Sequence, residues 1–298
     1  MFRFLPAPIA GSLAMILLIL HTTLCATLIV MTAPVKILLR PFRKDTKFIP
    51  FYRAAYHLWY KALPHYFRLF GTVKINIHLP KDKIEKDKSG LLISNHQSWV
   101  DILIVAGALS NKIASPTFFL KQELIWVPIV GLPCWVMDHI FVKRYSKKEL
   151  EKNPELKGQD IKTAKRKCRK LKNYPTTVIN FVEGTRLTSK KYEQSPKKLK
   201  HLLPAKAGGI NFTLNALGKK ITYLLDVSIV YHTDHQDRIM WQILTGRVRE
   251  IDLHIRNIPL NESLFGNYEK DPVYRENFQK WLNEIWQEKD LIIDQLHS

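Results

Sequence analysis

The chain has 298 residues, enough for one or two domains, and its 46% apolar content is ample for a sizeable core. Lys and Arg outnumber Asp and Glu by 46 to 26, a net charge of +20, which calls for an anionic partner: nucleic acid, an anionic bilayer or an acidic carrier protein. Cys25, Cys134 and Cys168 lie far apart with no Cys-x-x-Cys pair, which argues against a zinc site or disulfide framework and for a reducing compartment.

Ile9 to Val30 carries no formal charge and, at about 1.5 Å per residue, would span roughly 33 Å as a helix, enough for a bilayer core. A cleaved signal peptide is the rival reading, but the apolar region is long and no clean small-x-small site follows. Arg3 precedes the stretch and Lys36, Arg40, Arg43 and Lys44 follow it, so the positive-inside bias places the rest of the chain in the cytoplasm. His21 inside it reads as a tolerated polar residue rather than a proton relay. From Phe48 to Phe70, Phe51, Tyr52, Tyr56, Trp59, Tyr60, Tyr66 and Phe67 interleave with Arg53, His57, Lys61, His65 and Arg68. Two readings fit equally: an interfacial helix lying on a membrane, or an ordinary helix packing its aromatic stripe on the core. Pro64 is expected to bend or end it.

Val73, Ile75, Ile77 and Leu79 alternate with polar residues as a half-buried strand does, and a charged turn from Lys81 to Lys88 follows. Leu91 to Ile93 reads as a buried strand. Thr117 to Leu120 is another short strand, a helix-like segment begins at Gln122, and Ile140 to Val142 is a third. Leu124 to Val142 is apolar, but Pro128, Pro133, Asp138 and His139 would be costly in lipid, so it is expected to be buried and to line a pocket for a long apolar ligand. Asp160 to Leu171 is a basic helix, suited to anionic lipid beside a membrane anchor. Thr176 to Phe181 is a strand, Leu187 to Leu203 a basic, irregular loop expected to be mobile at the rim of a site, and Ile210 to Leu217 a helix. Tyr223 to Tyr231 and Val248 to Ile255 are strands, and Asp271 to Leu296 closes the chain as a helix with Trp281, Ile285 and Trp286 on its apolar side. No internal repeat or low-complexity linker interrupts the chain. Strands alternating with helices predict an α/β fold, a mixed sheet flanked by helices. Residues 1–70 form the anchor and interfacial segment, and 71–298 form one catalytic-sized domain.

The first chemical constellation follows the Leu91 to Ile93 strand. Asn95 and His96 stand in a turn, and Ser98 opens an apolar helix carrying Val100, Ile102, Leu103 and Val105. His96 and Asp101 are five apart, so they meet only if His96 precedes the helix and Asp101 lies in its first turn. There Asp101 can hold one imidazole nitrogen and leave the other to accept a proton. Such a base without its own nucleophile suits a reaction in which the substrate brings the nucleophile. The competing reading is a capping box, Ser98-x-x-Asp101, in which the carboxylate only satisfies helix amides. Spacing alone is weak, because His232 and Asp237 repeat it.

The second constellation is Glu183-Gly184-Thr185-Arg186, again after a strand. Gly184 permits a tight turn, and the planar fork of Arg186 can grip a phosphate. Functional residues of α/β sheets gather at the carboxyl ends of strands, so the two turns are expected to face one crevice. Lys121 joins them by the same logic, as do Lys143 and Arg144 after Ile140 to Val142. A base with several cations predicts a hydroxyl nucleophile on a phosphate-bearing molecule, and the anchor makes that molecule a lipid. His232, Asp234, His235 and Asp237 admit a metal reading, against a solvated loop.

With these residues in place the chain resembles the lysophosphatidic acid acyltransferase family, the glycerolipid acyltransferases with a His-x-x-x-x-Asp box. Asn95-His96-Gln97-Ser98-Trp99-Val100-Asp101 is similar to the family's first motif, and Lys121-Gln122-Glu123-Leu124 with Pro128 and Gly131, continuing to Ile140-Phe141-Val142-Lys143-Arg144, to its second. Phe181-Val182-Glu183-Gly184-Thr185-Arg186 is similar to the third, with Lys206-Ala207-Gly208 beyond it. The likeness covers roughly Phe70 to Tyr231 and is nearest to bacterial inner-membrane acyltransferases akin to the lysocardiolipin branch. Val182 and Ser228 stand where the family has prolines; neither position supplies a catalytic group. The resemblance implies a glycerolipid-acyltransferase fold and acyl transfer from an acyl thioester, on coenzyme A or acyl carrier protein, to the sn-2 hydroxyl of a lysophospholipid such as lysophosphatidic acid. It implies His96 and Asp101 as the catalytic dyad, Lys121, Arg186, Glu183, Gly184, Thr185 and Arg144 around the substrate phosphate, and no metal or cofactor. The expected partners are a phospholipid membrane, the acceptor and the acyl donor, with no nucleic acid, and the expected location is the cytoplasmic side of a bacterial inner membrane. Two alternatives remain: another lysolipid or amino-lipid acceptor, and a non-catalytic basic membrane-surface protein.

Overall fold

The computed structural model describes residues 5–42, 44–70, 73–109, 111–143, 147–153, 155, 168, 171, 173–196, 199–233, 238–268 and 270–297. Among them one sheet holds seven strands: β1 (Lys74–His78), β2 (Ser89–Ser94), β3 (Ser115–Lys121), β4 (Ile140–Val142), β5 (Thr176–Phe181), β6 (Ile221–Tyr231) and β7 (Glu250–Ile258). Their order is β1-β7-β6-β2-β5-β3-β4. Pairings are parallel except β6 with β7, so the sheet is mixed. The carboxyl ends of β2, β3, β4, β5 and β6 therefore share one edge, where the candidate residues are expected. The central β2 is buried throughout, and at Gly90 a Cβ would fall within about 2 Å of the Tyr223 ring, an approach only glycine permits.

Each face of the sheet buries one apolar cluster. One packs Val100, Ile104 and Val105 of the Val100–Ala108 helix with Leu92, Leu225 and Leu253. The other packs the Ala207–Leu217 helix and the closing Pro272–His297 helix against Leu91, Ile93 and Val178. Ile285 and Trp286 are buried as the sequence pattern predicts, and the Trp286 indole donates to the Leu203 carbonyl at 2.9 Å.

The apolar amino-terminal stretch forms the Ala7–Val30 helix, and Ala7–Leu39 is long and apolar enough to cross a membrane. Ala10, Ala14 and Leu18 enter the first core cluster, and Ile29 packs with Tyr52 and Val136. The other face, Ile9, Leu13, Ile16, Leu20, Leu24 and Leu28, is exposed. The aromatic helix, Ile49–Phe70, packs beside it, with the Trp59 indole donating to Thr22 at 3.1 Å and Tyr52 buried, so part of its stripe does pack on the core.

The aromatic helix continues through Pro64 to Phe70, so of the two expected effects Pro64 does not end it. Two local expectations change. The Leu124 to Val142 segment is not buried throughout: in the Pro128–Val136 helix Gly131, Pro133 and Val136 turn inward, while Trp126, Ile129, Val130, Leu132 and Trp135 are exposed. Hydropathy alone cannot tell an inward apolar face from an outward one. The Leu187 to Leu203 loop carries a short helix, Ser189–Glu193, capped by Thr188, and Leu187, Leu202 and Leu203 tie it to the core. Of the basic Asp160 to Leu171 segment, all but Cys168 and Leu171 lies outside the described residues.

Candidate active site

β2 ends at Ser94, and the buried Asn95 fixes the turn that follows. Its amide donates to the Ile229 carbonyl and its oxygen accepts from the Ile229 amide, both at 2.9 Å. The bidentate clasp holds the turn to β6, so His96 is presented at the sheet edge with its ring stacked on Phe181, 4.3 Å between centroids. Asp101, in the first turn of the next helix, is 0% exposed. Its Oδ2 accepts from His96 Nδ1 at 2.8 Å and from the amides of Gln97 and Ser98 at 2.6 and 2.8 Å. Its Oδ1 accepts the Tyr231 hydroxyl at 2.5 Å. Burial pushes the Tyr231 phenol well above its ordinary value, which keeps it a donor. One carboxylate thus both accepts the turn amides, as the capping reading expects, and meets His96 Nδ1, as the dyad reading requires. Because Asp101 takes Nδ1–H, the other ring nitrogen, Nε2, is left as the acceptor for a substrate proton.

β5 delivers the second turn to the same edge. Gly184 has φ 68°, a left-handed value that glycine adopts freely. Glu183 departs from the expectation that it serves the substrate phosphate. It is 1% exposed, and its Oε1 accepts the His96 amide at 3.1 Å, so it buttresses the dyad turn from within. Burial pushes its carboxyl up to about 8, against the backbone amides of His96 and Leu203, which favour the charged form. The Leu187 amide, donating to the His96 carbonyl at 2.7 Å, is a further stitch between the two turns.

Arg186 is exposed, and its guanidinium lies over the Trp99 ring at 5.3 Å, which aims the fork beside the dyad helix. Lys191 bonds Thr185 Oγ1 and donates to the Arg186 carbonyl at 3.1 Å. Its ammonium is lowered by burial and then by the positive charges of Arg186, Lys121 and Lys206. Four cations therefore gather at one rim, where an anion would relieve their repulsion. Lys121 and Arg186 belong to the expected set; sequence reasoning assigned no role to Lys191 or Lys206. Lys206 follows the third motif and carried a signal, whereas Lys191 lies in a basic loop that resembles any solvated surface. Arg144 lies outside the described residues. So do Asp234, His235 and Asp237; His232, the remaining member of that group, bonds Asp252 at 2.5 Å.

Beside the dyad helix lies an apolar cavity of about 420 Å³. Trp99, Ile102 and Leu103 line it from that helix, Phe118 and Leu120 from β3, and Leu18 and Ile29 from the amino-terminal helix. Trp99, over whose ring the Arg186 guanidinium lies, is part of this wall, so the cavity adjoins the cationic rim.

A His–Asp pair on the carboxyl edge of a mixed α/β sheet, with a cationic rim and an apolar cavity beside it, is an arrangement suited to group transfer on an amphipathic molecule. The comparisons give that class its family. The family model described as Acyltransferase matches residues 74–232, more than half of the chain and including both turns. The chain is 24% identical over 269 residues to 1-acyl-sn-glycerol-3-phosphate acyltransferase 3 of Arabidopsis thaliana, covering 85% of this chain and 66% of that one. It is 26% identical over 216 residues to 1-acyl-sn-glycerol-3-phosphate acyltransferase delta of Bos taurus, covering 68% and 52%. Among solved structures it is similar to the 1-acyl-sn-glycerophosphate (LPA) acyltransferase PlsC from Thermotoga maritima, with TM-score 0.55 and 19% identity, covering 95% of this chain and 98% of that one. That likeness concerns the fold. The chain spans between about half and two thirds of the length of these two curated relatives. This chain belongs to the Acyltransferase family.

Proposed function

We propose that the protein transfers an acyl group from an acyl thioester to the sn-2 hydroxyl of a lysophospholipid, with lysophosphatidic acid as acceptor and phosphatidic acid as product. The observation that carries this reading is Asp101, buried and accepting from His96 Nδ1, which leaves Nε2 as a positioned base. His96 Nε2 takes the proton of the acceptor hydroxyl as that oxygen attacks the thioester carbonyl. Asp101 stabilises the imidazolium that forms. The tetrahedral intermediate collapses, the carbon–sulfur bond breaks, and the leaving thiolate receives the proton back from His96. Tyr231 and the Gln97 and Ser98 amides keep Asp101 from rotating during this exchange.

The acceptor's phosphate fits among Arg186, Lys121, Lys191 and Lys206, where Arg186 can bind two oxygens at once. The relatives' names, which specify 1-acyl-sn-glycerol-3-phosphate as substrate, support this choice. The apolar cavity takes an acyl chain. Coenzyme A and acyl carrier protein are both anionic and suit a chain of +20.

We further propose attachment to a membrane, at its cytoplasmic side, through the exposed apolar face of the Ala7–Val30 helix. The packed face of that helix touches the domain near both its ends, at Ala10 and Ile29, so a fully spanning pose would draw the domain into lipid. The exposed face together with Trp126, 84% exposed, and Leu132 can enter the headgroup layer from the side.

The test is thiol release by detergent-solubilised protein with oleoyl-coenzyme A, or the corresponding acyl carrier protein ester, and a panel of lysolipids. Turnover on lysophosphatidate that disappears in His96→Ala is expected. Activity surviving in that variant sinks the dyad, and silence of the wild type on every acceptor and donor sinks the acyl-transfer reading.

A further inference from the structure

Lys191 lies outside the motifs that carry the site, yet its ammonium is fixed at the rim. The short Ser189–Glu193 helix that bears it is held on both sides. Before it, the Leu187 amide donates to the His96 carbonyl at 2.7 Å, and the Thr188 hydroxyl caps the Lys191 amide. After it, the Tyr192 hydroxyl donates to the Leu199 carbonyl at 2.7 Å, and the Lys200 and His201 amides donate to Asp290 of the closing helix at 2.7 and 2.8 Å. The Lys191 ammonium itself donates to Thr185 Oγ1 and to the Arg186 carbonyl, so it stands on the turn that carries Arg186. An ammonium has three N–H donors. Two go to this turn, and the third has no protein acceptor among the described residues. The charges that reach it are those of Arg186, Lys121, Lys206 and Glu183.

A phosphate monoester and a phosphate diester differ at one oxygen. The monoester has three non-ester oxygens and a charge of about −1.5 to −2 near pH 7, the diester two and about −1. The planar fork of Arg186 matches two oxygens and leaves a third to a single-point donor. Lys191 is such a donor, on the same turn. We propose that Lys191 makes the rim selective for acceptors whose phosphate is a terminal monoester: Arg186 takes two of its oxygens and Lys191 the third, which in a diester is esterified and carries no charge. This rests on the acyl-transfer reading above and assigns its choice of acceptor to one residue outside the motifs. A lysine that only tied its loop to the turn would matter equally for every acceptor.

The experiment uses the full chain in detergent with oleoyl-coenzyme A and two acceptors that differ by one methyl group, 1-oleoyl lysophosphatidate and its phosphomethyl ester. The expected result is a preference for the monoester of about tenfold or more in kcat/KM. Lys191→Gln should lower kcat/KM on lysophosphatidate about tenfold, chiefly through KM, and on the methyl ester much less, so that the ratio collapses. Lys191→Arg, which keeps the charge, should keep most of the ratio. An active wild type that treats the two acceptors alike overturns the proposal. So does a ratio unchanged in Lys191→Gln, whether both activities persist or both fall together, since that is the behaviour of a tie within the fold. Lys191→Met, also uncharged, repeats the test should Lys191→Gln fail to fold. If the wild type turns over neither acceptor, the acyl-transfer reading fails on its own, and the rim is judged by titration calorimetry with the same two lysolipids. Tighter binding of the monoester that Lys191→Gln removes supports the assignment, and any other result overturns it.

Discussion

Two fully buried carboxylates in this molecule are used in opposite ways. Asp226, on β6 opposite Ile93 of β2, is paired with Lys289 of the closing helix at 2.7 Å and with Arg256 of β7 at 2.7 Å. Lys289 is itself 0% exposed and also donates to the Val227 carbonyl at 2.5 Å. Asp101 is equally buried but is held by a tyrosine hydroxyl, two amides and an imidazole. A carboxylate neutralised by fixed cations has no field left to lend, so Asp226 fastens helix to sheet. One held by neutral donors keeps its charge available for the imidazolium that forms beside it, so Asp101 can assist a proton transfer.

The contrast can be broken at either end. His96→Ala should lower kcat/KM about a thousandfold or more while the thermal unfolding midpoint stays near wild type. A large loss of stability in that variant would mean that His96 is a structural histidine. Asp226→Ala should do the reverse. It strands a buried lysine and should cost about 3–5 kcal/mol of unfolding free energy by denaturant titration, with KM for the acceptor unchanged in the folded fraction. Replacing Lys289 by Met together with Asp226→Leu should recover most of that loss, because a well-packed apolar pair substitutes for a buried ion pair. A double variant as unstable as the single one would show that the network does more than neutralise charge.

The sequence made Asp101 legible and left Asp226 dark, for a physical reason. Asp101 and His96 belong to one strand–turn–helix unit, and their meeting follows from local geometry with the adjoining strand. Asp226, Arg256 and Lys289 come from β6, β7 and the last helix, so no local pattern joins them. The same distinction separates Lys121, the last residue of β3, and Arg186, in the turn that follows β5, from Lys191, which the chain brings back to the rim only by folding its loop over the site. Direction is the other blind spot. A turn residue such as Glu183 reads as outward, yet the His96 amide needs an acceptor and turns it inward. The amino-terminal helix has the hydropathy of a membrane span on every side, and only packing reveals that Ala10, Ala14 and Leu18 are committed to the domain.

Arg186→Ala should raise KM for lysophosphatidate about tenfold with a smaller change in kcat, since its partner on the substrate is present before and after the chemical step. Arg186→Lys should recover only part of that, because a point charge lacks the planar fork that Trp99 supports. An acceptor without a phosphate group should be indifferent to both variants, and equal losses on such an acceptor would place Arg186 in the fold rather than on the substrate.

The smallest effect is expected where a carboxyl belongs to neither kind of network. Glu183 is raised to about 8 chiefly by burial, so the folded protein holds its proton across a range in which the unfolded chain, near the ordinary 4.5, has lost it. The stability linked to that proton is fully present below about pH 4.5 and is lost as pH rises through about 8. Between about pH 6 and pH 8 wild-type stability should therefore fall by about 2 kcal/mol more than that of Glu183→Gln, whose side-chain oxygen can still accept the His96 amide but cannot titrate. Parallel stability curves for the two proteins over that range would mean that Glu183 ionises without cost. The amide bond to His96 would then be made to a full carboxylate, and a second negative charge would stand behind the dyad, adding its field to that of Asp101.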